Sequence, residues 1–224
     1  MIFAKNLHII NGFRYLLGHI AGSLIREKKN FPLFEEEEVQ SAEFGEKRKI
    51  DFASGRYCAR KALQQLEHPS CPIQIGLKRE PIWPKDFIGS ISHTHNLCGA
   101  IAGKMEHFHG LGLDVENMER FHLGLLKSVC TDNELQKMSA FEPSTQLNSL
   151  ATIFTLKEAF YKYQYPITQT YLGFKDVEIE FRFEKVYFKS LHENVQVLLE
   201  DMLIEALFLE QEKHIIGLVY AAKL

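Results

Sequence analysis

Apolar residues recur along this chain at two periods, near 3.6 and 2, and the alternation between them predicts an α+β fold. Phe52, Ala59, Leu63 and Leu66 fall at helical spacing, and His68-Pro69 stops that helix. Ile88, Ser90 and Ser92 alternate with Gly89, Ile91 and His93, which predicts a strand that delivers Ser92 and His93 to its end. Small apolar residues over 98–103 and the run 110–115 read as two further strands. Thr131-Asp132-Asn133-Glu134 is a capping box opening a short helix that ends near Met138. A longer helix is predicted over about 145–165, closed by Pro166, and its stretch 154–162 is apolar nearly all round, so it must be buried. Beyond it, Val177, Ile179, Phe181 and Phe183 alternate, residues 186–188 do likewise, and 203–209 pairs with 215–221 across Gln211-Glu212-Lys213. That tail reads as β-rich and structural, with no chemistry. Residues 1–25 give no clear element, Glu35-Glu36-Glu37-Glu38 reads as a solvated face or a helix start, and turn formers dominate around Trp83.

Composition narrows the class. A 224-residue chain can bury a sizeable core as one domain or two halves, and 46% hydrophobic with 25% charged residues describes a soluble globular protein. The formal net charge of −3 carries no nucleic-acid footprint, so any anion site must be a local basic cluster. Cys58, Cys71, Cys98 and Cys130 lack C-x-x-C spacing, which argues against a zinc ribbon or a disulfide scaffold and suits a reducing cytoplasm. The apolar stretch from Leu7 is interrupted by His8, Asn11, Arg14 and His19, so neither a signal peptide nor a membrane span is expected.

Three clusters could carry chemistry. Asp114 and Glu116 lie two apart on a strand and so face one side, with Val115 turned away; their ordinary reading is a solvated strand face, and their sharper one a site for a hard divalent cation. Arg56 and Arg60 are one helical turn apart, with Arg48 and Lys49 near the helix start, which makes either a solvated basic face or a phosphate site. Glu158 and Lys162, at i and i+4 in an apolar helix, are either a routine ion pair or a functional one. His93, His95, His107 and His109 lack the third and fourth ligand spacing of a zinc site.

Taken together, Phe52-x-x-Gly55-Arg56-x-x-Ala59-Arg60-x-Ala62-Leu63, Pro81-x-Trp83-Pro84, Gly89-Ser90-Ile91-Ser92-His93, Gly112-x-Asp114-Val115-Glu116 and Phe154-x-x-Lys157-Glu158-Ala159-x-Tyr161-Lys162 resemble the 4′-phosphopantetheinyl transferases. Their order is most similar to the siderophore-serving subgroup, the enterobactin synthase component D type, over about residues 48–171. The resemblance implies transfer of the phosphopantetheine arm of coenzyme A to a serine of an apo acyl, peptidyl or aryl carrier protein. It implies two similar α+β halves, 1–110 and 111–224, with the substrate between them. It also implies Mg²⁺ on Asp114, Glu116 and Glu158, Glu158 as the proton acceptor, and Lys162 on the departing phosphate. Arg48, Lys49, Arg56 and Arg60 would then hold the 3′-phosphate, with Ser92, His93 and Lys157 as further coenzyme contacts. Arg79 and Pro81 would also contact the coenzyme, in a loop where the surfactin-type members carry Gly-Lys-Pro and Glu80 stands at the lysine position. A cytoplasmic monomer with no nucleic-acid partner is expected, with carrier contacts around 118–133 and weak metal binding until the coenzyme arrives. The competing readings are a metal-dependent phosphodiesterase or nuclease, and a non-catalytic carrier-binding module.

Overall fold

A computed structural model describes residues 19–183 and 185–223. Most of the apolar stretch from Leu7 lies outside these residues; its end forms β1 (Ile20–Ile25). In the first half α1 (Glu35–Ser41) and α2 (Glu46–Gln65) lead to β2 (Phe87–His93) and β3 (Cys98–Lys104), in an antiparallel sheet of order β1-β3-β2. In the second half β4 (Phe108–Asn117) is followed by α3 (Asp132–Met138) and α4 (Pro143–Thr168). Then come the hairpin β5 (Val177–Arg182) and β6 (Lys185–Ser190), α5 (Glu193–Asp201), β7 (Ile204–Gln211) and β8 (His214–Ala222), with sheet order β4-β8-β7. Each sheet therefore runs first strand, last strand, penultimate strand, and a long helix follows each first strand. This is the two-half α+β architecture expected.

A buried clamp is repeated in both halves. Glu37, the third residue of α1, accepts the Phe34 N–H at 3.0 Å, the Ile73 N–H at 2.8 Å and two bonds from Arg60 of α2, whose other amino group reaches Pro32 O at 2.8 Å. Glu134, the third residue of α3, accepts the Thr131 N–H at 2.7 Å, the Ile179 N–H at 2.7 Å and a bond from Lys157 of α4, which also reaches Val129 O at 2.9 Å. Pro32, Phe34, Glu37 and Arg60 each precede their counterparts Val129, Thr131, Glu134 and Lys157 by 97 positions. Each carboxylate neutralises a cation from the long helix and takes the amides of its own helix start and of a later segment, so its burial is compensated.

Several elements differ from expectation. Glu37 is not part of a solvated face but fully buried. Pro143 opens α4 rather than preceding it, as suits a residue whose missing N–H would be unpaired in the first turn. Pro166 does not end α4: its ring is exposed in the last turn, and the helix closes three residues later with Gln169 at φ 54°, donating its N–H to Tyr165 O. α5 interrupts the tail that was read as all β, burying Val195 and Leu198 one turn apart. Nor is the tail merely peripheral. β8 is the central strand beside β4 and sets Gly217 opposite Asp114.

The halves meet where the edges β2 and β4 lie side by side. Leu111, Leu113 and Val115 of β4 bury with Leu97, Ile101 and Ile216 at this seam. Ser90 Oγ donates to Leu113 O at 3.5 Å and Ser92 Oγ accepts the Val115 N–H at 3.2 Å, so side-chain hydroxyls bridge the two edges. On the other face of β4, a Cβ on Gly112 would come within 1.9 Å of Ala159 O and 2.7 Å of Tyr163 N. Only glycine admits α4 this close, and that approach brings its polar residues to Asp114.

Candidate active site

Asp114 is 3% exposed, and its two carboxylate oxygens differ. Oδ1 accepts Ser92 Oγ at 2.9 Å and Lys162 Nζ at 2.8 Å; Oδ2 is buried with no partner. A buried carboxylate oxygen without a donor is costly unless something supplies positive charge. Lys162 spends its two other hydrogens on Ser92 Oγ at 3.0 Å and Leu113 O at 3.1 Å. Its partner is thus Asp114 across the helix–strand contact rather than Glu158 on its own helix. Ser92, expected to touch the coenzyme, instead has its hydroxyl saturated by Asp114, Lys162 and the Val115 amide, and it positions the carboxylate.

Glu116 is buried and takes Arg120 NH1 at 2.6 Å. Glu158 is half-buried and has no hydrogen-bond or ion-pair partner among the described residues. Burial, then the Asp114 charge, raises the pKa of both above the ordinary carboxylate range; Arg120 and Lys162 partly offset this. Asp114 Oδ2 and the Glu158 carboxylate are oxygen donors in want of a cation, and Glu116 is a third that Arg120 now holds. Among the described residues no three His, Cys, Asp or Glu side chains converge tightly enough to enclose a metal by themselves. The donor chemistry fits a hard cation that takes its remaining oxygens from water or a phosphate.

Glu158 also lines a cleft of about 270 Å³ with Tyr161, Tyr171, Leu172 and Phe174. On the opposite side of the seam, His93 is exposed at the end of β2, its Nδ1 3.9 Å from Asp51 Oδ1. Lys28, nearly buried, donates to Asp51 Oδ1 and to Thr94 O at 2.6 Å, fixing the floor under His93. Burial lowers the His93 pKa, and Asp51 opposes that shift. Sequence reasoning missed both Lys28 and Asp51, because each is an isolated charge and only the fold joins them.

The predicted basic cluster divides. Arg60 is 8% exposed and committed to Glu37 and Pro32 O. Arg56 is equally buried, donates Nε to Ile73 O at 2.8 Å, and packs over Phe52. Lys157 is 3% exposed, with its three hydrogens on Glu134, Val129 O and Phe174 O. Where coenzyme contacts were expected, these three turn to internal partners in the clamps and the α2 packing and brace the fold. Arg48 is exposed over Phe44, and Lys49 is half-buried. Pro81 pairs with Ile75 at the base of a hairpin loop, and the Glu80 carboxylate accepts the Lys78 N–H at 2.8 Å. Glu80 therefore shapes this loop. Lys78, rather than the free and exposed Arg79, reaches α4, bonding Gln169 Oε1 and lying over Tyr165.

Two family models match the chain. Residues 34–103 match the family model of the 4′-phosphopantetheinyl transferase N-terminal domain, and residues 110–218 match that of the 4′-phosphopantetheinyl transferase superfamily. The chain is 36% identical over 135 residues to the 4′-phosphopantetheinyl transferase PptT of Mycobacterium tuberculosis, covering 60% of this chain and 59% of that protein. It is 36% identical over 149 residues to Npt of Nocardia iowensis, covering 66% of each. Enterobactin synthase component D of Salmonella typhi is 32% identical over 120 residues, covering 53% of this chain and 49% of that protein. The matches thus span about half to two thirds of these relatives' lengths. With both family models in chain order on the two halves, the chain belongs to the 4′-phosphopantetheinyl transferase superfamily.

Proposed function

We propose that the chain transfers the 4′-phosphopantetheine group of coenzyme A to a serine of an apo carrier protein, releasing adenosine 3′,5′-bisphosphate. The observation that carries this reading is Glu158: a partnerless carboxylate of raised pKa, beside Asp114 and Lys162, at the wall of a cleft with aromatic sides. Family membership supports the substrate class, and the relatives named as transferases carry the same activity in their names. The serine oxygen attacks the β-phosphorus of the pyrophosphate, the bond to the bridging oxygen breaks, and the serine proton passes to Glu158. A carboxylate raised above its usual range is the better base for that proton at neutral pH. Lys162 donates to the oxygens of the departing phosphate. His93 faces the phosphates from the first half, steadied by Asp51, and the exposed Arg48 with the half-buried Lys49 offers charge to the 3′-phosphate. The cleft beside Tyr161 and Tyr171 suits the pantetheine arm.

Asp114, Glu116 and Glu158 would hold Mg²⁺, which supplies charge neutralisation at the pyrophosphate when bound. The division of the chain near residue 110, a monomeric state, a cytoplasmic location and a role in siderophore or other nonribosomal peptide or polyketide synthesis belong to the same proposal. Among the described residues no helix is long and apolar enough to cross a membrane. The test is incubation with coenzyme A, Mg²⁺ and apo peptidyl, aryl and acyl carrier domains, followed by mass spectrometry of the carriers. A gain of one phosphopantetheine is expected; no gain on any carrier would overturn the reading.

A further inference from the structure

If Asp114 is a cation ligand, as the proposed function requires, that cation has a rival within the chain. Lys162 Nζ lies 2.8 Å from Asp114 Oδ1, and its other two hydrogens go to Ser92 Oγ and Leu113 O. An ammonium has three hydrogens, so in this arrangement none is left for a phosphate oxygen. Lys162 can serve a departing phosphate only by giving up at least one of these three bonds.

We propose that Lys162 is an exchangeable counter-cation. It neutralises Asp114 until a phosphate ligand draws the ammonium away, so that a divalent cation and the phosphate enter together and a divalent cation alone competes with Lys162. Three features favour an exchange over a fixed ion pair. The Lys162 side chain is 28% exposed while that of Asp114 is 5% exposed, so the ammonium has room to swing where the carboxylate has none. The backbone beneath it is held by the Gly112 approach to Ala159 and Tyr163, so the movement is confined to the side chain. Ser92 Oγ donates to Asp114 Oδ1 independently of Lys162, so the carboxylate keeps its position when the ammonium departs. The contrast with Lys157 is informative: five residues earlier on the same helix, its side chain is 2% exposed and locked to Glu134.

The inference is tested without a carrier protein, by measuring Mn²⁺ binding to the full chain from the free-ion electron paramagnetic resonance signal. Titrations are run with and without adenosine 3′,5′-bisphosphate and corrected for the ion's complex with the nucleotide. Wild-type protein should bind Mn²⁺ weakly alone and about ten-fold or more tightly with the nucleotide. Lys162→Met should bind Mn²⁺ about ten-fold or more tightly without nucleotide, because two positive charges no longer compete for one carboxylate, and the nucleotide should add little further. Unchanged or weaker binding by Lys162→Met would overturn the proposal. Should that variant fail to fold by circular dichroism, Lys162→Gln, which removes the charge and leaves the Ser92 bond to Asp114 in place, should tighten Mn²⁺ binding by a few-fold; no gain there overturns it equally. Absence of carrier modification with these binding changes present would sink the proposed function and leave this inference standing. Transfer activity with no gain in Mn²⁺ affinity would do the reverse.

Discussion

The two halves share a strand order, a long helix and a buried glutamate clamp, yet they spend their charges differently. In the first half Arg56 and Arg60 are sealed into the fold, and the seam carries Ser90, Ser92 and the His93–Asp51–Lys28 group. In the second, the clamp consumes only Lys157, and one and five residues further along α4 Glu158 and Lys162 emerge beside Asp114. At the equivalent positions of α2 stand Lys61 and Gln65, both exposed, with β1 bringing no acid to meet them. A repeated scaffold thus became a site on one side only. A strong sequence signal, Arg or Lys in a helix, marks bracing at Arg60 and Lys157 and the proposed chemistry at Lys162. Exposure separates the two lysines: each fills three hydrogen bonds, but the Lys162 side chain is 28% exposed and that of Lys157 2%.

The sharpest way to break this comparison is to exchange one group from each class. Glu158→Gln removes the free carboxylate without touching any internal bond, so transfer should fall about 10²–10⁴-fold while the urea midpoint stays near wild type. A variant that retained transfer would end the assignment of the base. Glu37→Ala and Glu134→Ala should do the opposite. Each leaves a buried cation unpaired, and each should lose about 3–5 kcal/mol of stability in urea denaturation. Losses of similar size are expected because each glutamate fills the same role, pairing a buried cation of the long helix and two backbone amides; a loss at only one would show that the repeat is geometric but not energetic. Gly112→Ala comes next. Its Cβ cannot coexist with Ala159 O at 1.9 Å, so α4 must shift, with a stability loss of about 1–3 kcal/mol and a fall in transfer that thermal stabilisers do not restore.

How much of this could be read from residues alone varies with the range of the interaction. The α3 capping box was legible because Thr131 and Glu134 are three apart and satisfy each other locally. The shared face of Asp114 and Glu116 followed from strand alternation; their burial did not, because β4 is covered on both faces, Val115 as well as its two acidic neighbours. The clamp was not legible. Its members are dispersed over 28 positions, and between the halves the cation changes from arginine to lysine and the capping residue from phenylalanine to threonine, leaving only the glutamate in common. Glu37 was further hidden inside an acidic run in which Glu35, Glu36 and Glu38 do face solvent. α5 was hidden because residues 193–201 bury only Val195 and Leu198, too sparse a stripe to outweigh the strands on either side.

The smallest effect concerns the tip of the seam, where His214 of β8 bonds Asn96 of the β2–β3 turn at 2.8 Å through Nε2, while its Nδ1 is buried without a partner. Burial lowers the His214 pKa; the Arg26 charge adds to this, and Glu212 and Glu119 oppose it. The unfolded chain, with an ordinary histidine near pH 6.5, therefore takes up its proton first as pH falls. Stability should drop with pH from about 6.5 down to the depressed folded value and level off below it, by at most about 1.4 kcal/mol per pH unit from this residue. His214→Gln keeps an amide able to donate to Asn96 and removes the titration. Urea midpoints compared between pH 7 and pH 5 should fall less steeply for the variant than for the wild type. Parallel slopes would mean that the two halves stay joined at this tip whatever the charge on His214.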